Sequence, residues 1–96
     1  MIKRGTYKII RVNGTEETVP ERPTLPAIYK AIGCDTIDTV MIDRRSQIVM
    51  IVDDTGMIDG KPANAKATAL YHSVCRPGTV HQIHGDVAIA NDEDFA

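Results

Sequence analysis

Five side chains in this sequence belong to the types that bind zinc or build a nucleophile: Cys34, His72, Cys75, His81 and His84. Zinc takes thiolate and imidazole ligands in a tetrahedron. The run His72-x2-Cys75-x5-His81-x2-His84 offers both, but its spacing matches no standard finger. Its ligands would have to converge from a helix end, a Pro-Gly turn and an extended segment. The plainer reading puts both cysteines in or near the core and His81 and His84 on one side of a loop. His72 then lies near a helix C-terminus, where a cation suits the macrodipole. No metal is expected. Cys75 with His72 or His81 has the types of a nucleophile pair, without an oxyanion hole or an orienting residue in view. Asp53, Asp54 and Asp59 are close in sequence, yet adjacent acids in a turn ordinarily make Asx turns and meet solvent. The loop 53–61 also lacks the regular oxygen spacing that calcium needs. No catalytic residue and no cofactor are expected, and the chain is read as a non-enzyme.

Anion binding is the other chemistry on offer. Gly56-x3-Gly60-Lys61-Pro62 differs from a P-loop in its spacing and in the proline after the lysine. Lys61 and Asn64 nevertheless stand at a helix N-terminus, whose free N–H groups favour anions. The plainer reading makes Asn64 the cap or a first-turn residue of that helix. Arg44 and Arg45 occupy a hairpin tip, where solvated side chains are the default. If a phosphate-bearing ligand binds between subunits, Arg44, Arg45, Lys61, Asn64 and Arg76 are the candidate ligand-binding residues, since guanidinium groups grip phosphate bidentately.

The elements that would position these groups alternate between strand and helix. Thr6 to Val12 is β-branched and aromatic and reads as a strand. Asn13-Gly14 then signals a tight hairpin with positive φ at both positions. Thr15 to Val19 returns, with Glu16-Glu17 marking an exposed edge. Thr24 is the expected N-cap of a helix with Pro26 in its first turn. Leu25, Ile28, Tyr29 and Ile32 form its apolar stripe and Gly33 its C-cap. Ile37–Asp43 and Gln47–Asp53 read as strands joined by Arg44-Arg45-Ser46. The run Ile48-Val49-Met50-Ile51-Val52 is apolar on both pleat faces. That predicts a central strand covered on both sides, one of them open to coverage by another subunit. Met57-Ile58 is expected as a short extended piece between turns, and Ala63 to Val74 as a helix. Thr79 to Ala90 is expected to be extended, broken near Gly85. Residues 91–96 read as a frayed acidic tail.

The whole is one domain of 96 residues, in the α+β class: a mostly antiparallel sheet of about four to six strands with two short helices. A formal net charge of −2 leaves no basic excess for nucleic acid. No apolar run reaches membrane-spanning length. Met1-Ile2-Lys3-Arg4 is not followed by the apolar region of a signal peptide. Two isolated cysteines suit a reducing cytoplasm. Few aromatics and a small core favour a homo-oligomer.

From about Leu25 to Ala90 the chain resembles a family of small proteins known only as the domain of unknown function numbered thirty-eight forty-six. The resemblance is carried by the helix ending Ala31-Ile32-Gly33 and the apolar strand pair. It continues through Asp54-x-Gly56-x3-Gly60-x-Pro62-x-Asn64, Ala67, and Ile83-x-Gly85-Asp86-Val87-Ala88-Ile89. His81 and His84 are outside the pattern. The resemblance implies a phage or mobile-element accessory protein in the host cytoplasm, with no known catalytic residues. Counter-defence by stoichiometric binding is the expected function: sequestration of a small anionic, nucleotide-type ligand by a homo-oligomer. The alternative is an inhibitor or regulator that binds a host protein through an exposed strand edge or helix face.

Overall fold

The computed structural model describes residues 3–75, 78 and 80–95. Five strands, β1 (Tyr7–Ile10), β2 (Glu16–Val19), β3 (Ile37–Asp43), β4 (Ile48–Asp53) and β5 (Val87–Asn91), form one antiparallel sheet in the order β2-β1-β5-β4-β3. The helices are α1 (Leu25–Ile32), α2 (Ala65–Val74) and a terminal turn, α3 (Asp92–Phe95). The α+β class therefore holds, with one short helix more than the two expected.

Strand periodicity sorts the core into two layers. Tyr7, Ile9, Val49, Ile51, Ala88 and Ala90 project to one face and pack with Ile28 and Ile32 of α1. Their neighbours Ile10, Ile48, Met50, Val52, Val87 and Ile89 project to the other and pack with Ala67 and Ile83. Every residue of β4 is buried. The chain's own helices thus lie over both faces of its most apolar strand, and burial of β4 requires no second subunit. The small residues Ala88 and Ala90 let α1 approach closely, and Ala67 does the same for α2.

The local signals at α1 hold. The Thr24 hydroxyl accepts from the Ala27 N–H at 3.3 Å, and Gly33 closes the helix at φ 67°. Three local readings change. In the β1–β2 connection only Gly14 has positive φ. The Gly14 N–H donates to Arg11 O (3.0 Å) and the Arg11 N–H to Thr15 O (2.9 Å), the pattern of a three-residue loop with a left-handed glycine. The Asn13 side chain is used as an acceptor for the Thr15 N–H and hydroxyl instead. Met57 and Ile58 are not extended: residues 54–60 form continuous turns. The expected frayed tail is ordered through 95. Asn91 belongs to β5, and the buried Asp94 carboxylate accepts from Arg4 Nε and the Gly5 N–H, both at 2.9 Å. Those bonds neutralise an acid that composition alone assigns to solvent.

Met50 and Ile51 report on opposite layers and are fully buried. Met50→Ala and Ile51→Ala are each expected to lower the unfolding free energy by about 2–5 kcal/mol. Urea unfolding of the two variants measures this, and comparable losses are expected from both layers.

Candidate functional site

Two interlocked polar knots determine what the loops between β4 and β5 can do. The first is Asn64, fully buried and N-cap of α2. Its Oδ1 accepts from the Ala67 N–H at 3.1 Å. Its Nδ2 donates to Ile10 O and to Gly85 O, both at 3.0 Å. Its own N–H donates to Ile83 O at 2.8 Å. One carboxamide therefore joins α2, the end of β1 and the segment before β5, and both amide hydrogens are committed.

The second knot is Lys61. Its ammonium donates to Asp53 Oδ2 and to Gly33 O, tying the end of β4 to the end of α1. Burial pushes the Asp53 carboxyl up, but the Lys61 ammonium and the Thr55 N–H and hydroxyl outweigh it and hold it below its ordinary value. The Lys61 ammonium is pushed up by the same bond. Gly56 sits so close to the strand approach that a Cβ there would lie 2.7 Å from His84 O, so the 54–60 loop needs glycine to seat against it.

Around these knots lies a cleft of about 240 Å³. It is bounded by Asp38 and Val40 of β3, by Val52 and Asp53 of β4, by Asp54, Met57 and Ile58 of the loop, by Tyr71 of α2, and by residues 81–84. No lysine or arginine is among the described residues that line it. Met57 and Ile58 stand 57% and 84% exposed at its rim. The Tyr71 ring is tilted 45° to that of His72 and meets His81 edge-on, at 6.0 and 5.9 Å. A bond with the Cys75 sulfur pushes the Tyr71 hydroxyl up.

The residues with catalytic or metal-binding side chains do not assemble. His72 Nε2 engages His81 O at 2.7 Å, and His84 Nδ1 engages Lys61 O at 2.8 Å. Among the described residues no group of three His, Cys, Asp or Glu side chains is placed to share a metal ion. The Cys75 sulfur bonds the Tyr71 hydroxyl. Burial and then Asp53 push the Cys34 thiol up, against the direction a nucleophile needs.

Within one chain the described anion-binding candidates stand apart. Arg44 and Arg45 are exposed at the β3–β4 tip, at the opposite end of β4 from Asp53 and Lys61. Lys61 is held by Asp53 and Gly33 O, and Asn64 is a structural cap with no polar atom to spare. Arg76 lies outside the described residues. The residues missed were Asp38, Val40, Met57, Ile58 and Tyr71, which meet only through tertiary structure. The available signal was an apolar Met-Ile pair inside a turn rich in Asp and Gly, where burial cannot be the reason for it.

The model of one family, described as Domain of unknown function (DUF3846), matches residues 6–96. The chain belongs to the DUF3846 family. No curated protein and no solved structure matches it. The match to the DUF3846 model includes the N-terminal hairpin, which the resemblance over Leu25 to Ala90 left out. No helix among the described residues is long and apolar enough to cross a membrane.

Two outcomes follow from the knots. Asn64→Ala removes a cap worth about 1 kcal/mol and the two side-chain donors to the buried carbonyls Ile10 O and Gly85 O, at about 0.5–1.5 kcal/mol each. A loss of at least about 2 kcal/mol is expected in urea unfolding, with Asn64→Asp no better because a carboxylate cannot donate. For Asp53, a depressed folded pKa means stability is present above the unfolded value of about 3.9 and lost as pH falls through the folded one. The stability advantage of wild type over Lys61→Met is therefore expected to be full above about pH 5 and to shrink below about pH 4. Urea unfolding across that range measures it.

Proposed function

We propose that this DUF3846 protein acts by binding rather than catalysis, and that it binds a protein partner through the rim of the cleft. The observation that carries this reading is the exposed pair Met57 and Ile58 beside a concave, half-apolar surface. Large apolar side chains in contact with solvent at the mouth of a cleft are the anchors that protein interfaces bury. Val80, 86% exposed, immediately precedes the 81–84 wall in sequence.

The anionic-ligand reading receives less support. The cleft carries the carboxylates of Asp38 and Asp54 with no cation in its described lining, a surface that repels phosphate. Of the candidate donors, Lys61 is already neutralised and the arginine pair lies elsewhere. A second groove, beside Lys8 and Lys66, is closed to anions by Glu16. That carboxylate lies 2.7 Å from Lys8 Nζ and 2.9 Å from Lys66 Nζ, which hold it down to about 2. An accessory, counter-defence role in a phage or mobile element belongs to the same proposal and rests on the family resemblance alone. Two unbridged thiols suit the host cytoplasm as the compartment.

The test uses wild type and Ile58→Asp as baits for a displayed library of random peptides. A thermal-shift panel of cyclic nucleotides and ADP-ribose accompanies it. Wild type is expected to enrich peptides with apolar anchors, and Ile58→Asp to bind them at least about tenfold more weakly with its own Tm preserved. No nucleotide is expected to raise the Tm. A nucleotide that raises it, as any ligand of the folded state must, with the effect lost in Arg44→Ala/Arg45→Ala, would overturn the reading in favour of anion sequestration.

A further inference from the structure

β3 is the outer strand of the sheet beyond β4, and no described strand pairs with its far side. The Asp54 N–H donates to Thr36 O, which sets the alternation of the β3–β4 ladder. Even-numbered residues of β3 bond to β4, while Ile37, Thr39 and Met41 turn their N–H and C=O groups outward. The Thr39 N–H confirms this direction. It is bonded at 2.9 Å not to β4 but to the Asp38 carboxylate, which blunts the edge. The bulge between Met41 and Asp43 leaves Ile37–Met41 regular.

Charge is divided along this edge. At one end stand Asp38 and Asp54, neither in an ion pair among the described residues. At the other end stand Arg44 and Arg45, exposed and equally without an ion pair there. The tip is held in shape: the Asp43 carboxylate accepts from the Arg45 and Ser46 N–H groups at 3.0 and 3.3 Å, and Gln47 Nε2 donates to Arg44 O at 3.0 Å. An antiparallel partner strand reverses this order, so a second copy of the same strand is complementary to the first.

We propose that the β3 edge pairs with β3 of a second copy about a two-fold axis beside Val40. In that register Thr39 of each copy opposes Met41 of the other, so outward groups meet outward groups. Past the bulge Asp43 stands where Ile42 would in a regular strand, so Asp38 of one copy faces Ile42 and Asp43 of the other; the Asp43 carboxylate is already engaged by the Arg45 and Ser46 N–H groups of its own tip. The bulge shortens the advance by one residue, so Arg44 and Arg45 of the second copy fall one to two residue steps, roughly 3–7 Å, beyond Asp38, toward Thr36 and Asp54. An arginine there draws Asp38 off the Thr39 N–H and frees that donor for the new ladder. The pairing joins two five-stranded sheets into one and brings the basic tip of each copy to the acidic cleft of the other, where Asp38 and Asp54 neutralise the arginines. It rests on the strand edge and its charges and does not depend on the Met57–Ile58 reading.

The test is sedimentation equilibrium of the full chain and of two charge-reversed variants, Arg44→Glu/Arg45→Glu and Asp38→Lys/Asp54→Lys. Wild type is expected to be a dimer that weakens with salt, and each variant alone to dissociate at least about tenfold more readily. Mixed together, the variants are expected to form a heterodimer, because each reversed tip then meets a reversed cleft and each native tip a native cleft. Restoration also proves that both variants are folded. The register is read by Val40→Cys in a Cys34→Ser/Cys75→Ser background. A non-hydrogen-bonded pair sets the two Cα atoms about 4.5 Å apart, within disulfide range. A wild-type monomer, a dimer indifferent to the reversals, a mixture that stays monomeric, or a dimer that does not cross-link at Val40 would overturn the proposal.

Discussion

The buried carboxamide of Asn64 is the interaction on which the arrangement of this protein depends. It links a helix start, a strand end and an irregular segment, none of which is next to another in sequence. A side chain with two donors and an acceptor in one plane can do this, and neither a carboxylate nor a hydroxyl can replace it. Once Asn64 is seated, Ile83 and Ala67 are brought over the second face of the sheet. Lys61 must then reach across to Asp53 and Gly33, and the 54–60 loop has only the path that Gly56 permits. The cleft is what remains between that loop, α2 and the edge of the sheet.

The sheet itself is a sandwiched layer, and this changes the argument about assembly. A strand apolar on both pleat faces needs two covers, and a small chain has few to offer. Here α1 and α2 supply both, so the burial of β4 carries no information about a second subunit. What a single chain does leave open is an edge, not a face. Edges are satisfied by hydrogen bonding and discriminated by charge, which is why the distribution of Asp38, Asp54, Arg44 and Arg45 along β3 carries more weight than the small size of the core.

Much of this fold was legible in the sequence. Thr24, Pro26 and Gly33 marked α1 because capping is local chemistry, and β-branched content in β1, a short run apolar on both faces in β4 and the small-residue segment of β5 marked strands. Two of the failures share a cause, an anchor distant in sequence. Asp94 looked like a solvated tail because its partners, Arg4 and Gly5, are some ninety residues away. Met57 and Ile58 looked extended because β-branching and size are weak guides inside a loop anchored elsewhere. Asn64 offered two local readings, cap or anion site, and only the positions of Ile10 O and Gly85 O decide between them. Site residues were the least legible, since Asp38, Tyr71 and Ile58 become neighbours only after the sheet and both knots have formed.

The most direct test is hydrogen exchange at the Asn64 side-chain amide, followed by NMR with and without added phosphate. If the carboxamide is the buried tie described above, its two protons exchange only through opening on the scale of global unfolding, and phosphate leaves their shifts unchanged. Fast exchange, or shifts that move on titration with phosphate, would show that Asn64 faces solvent and ligand. The account of how this chain holds together would then be wrong.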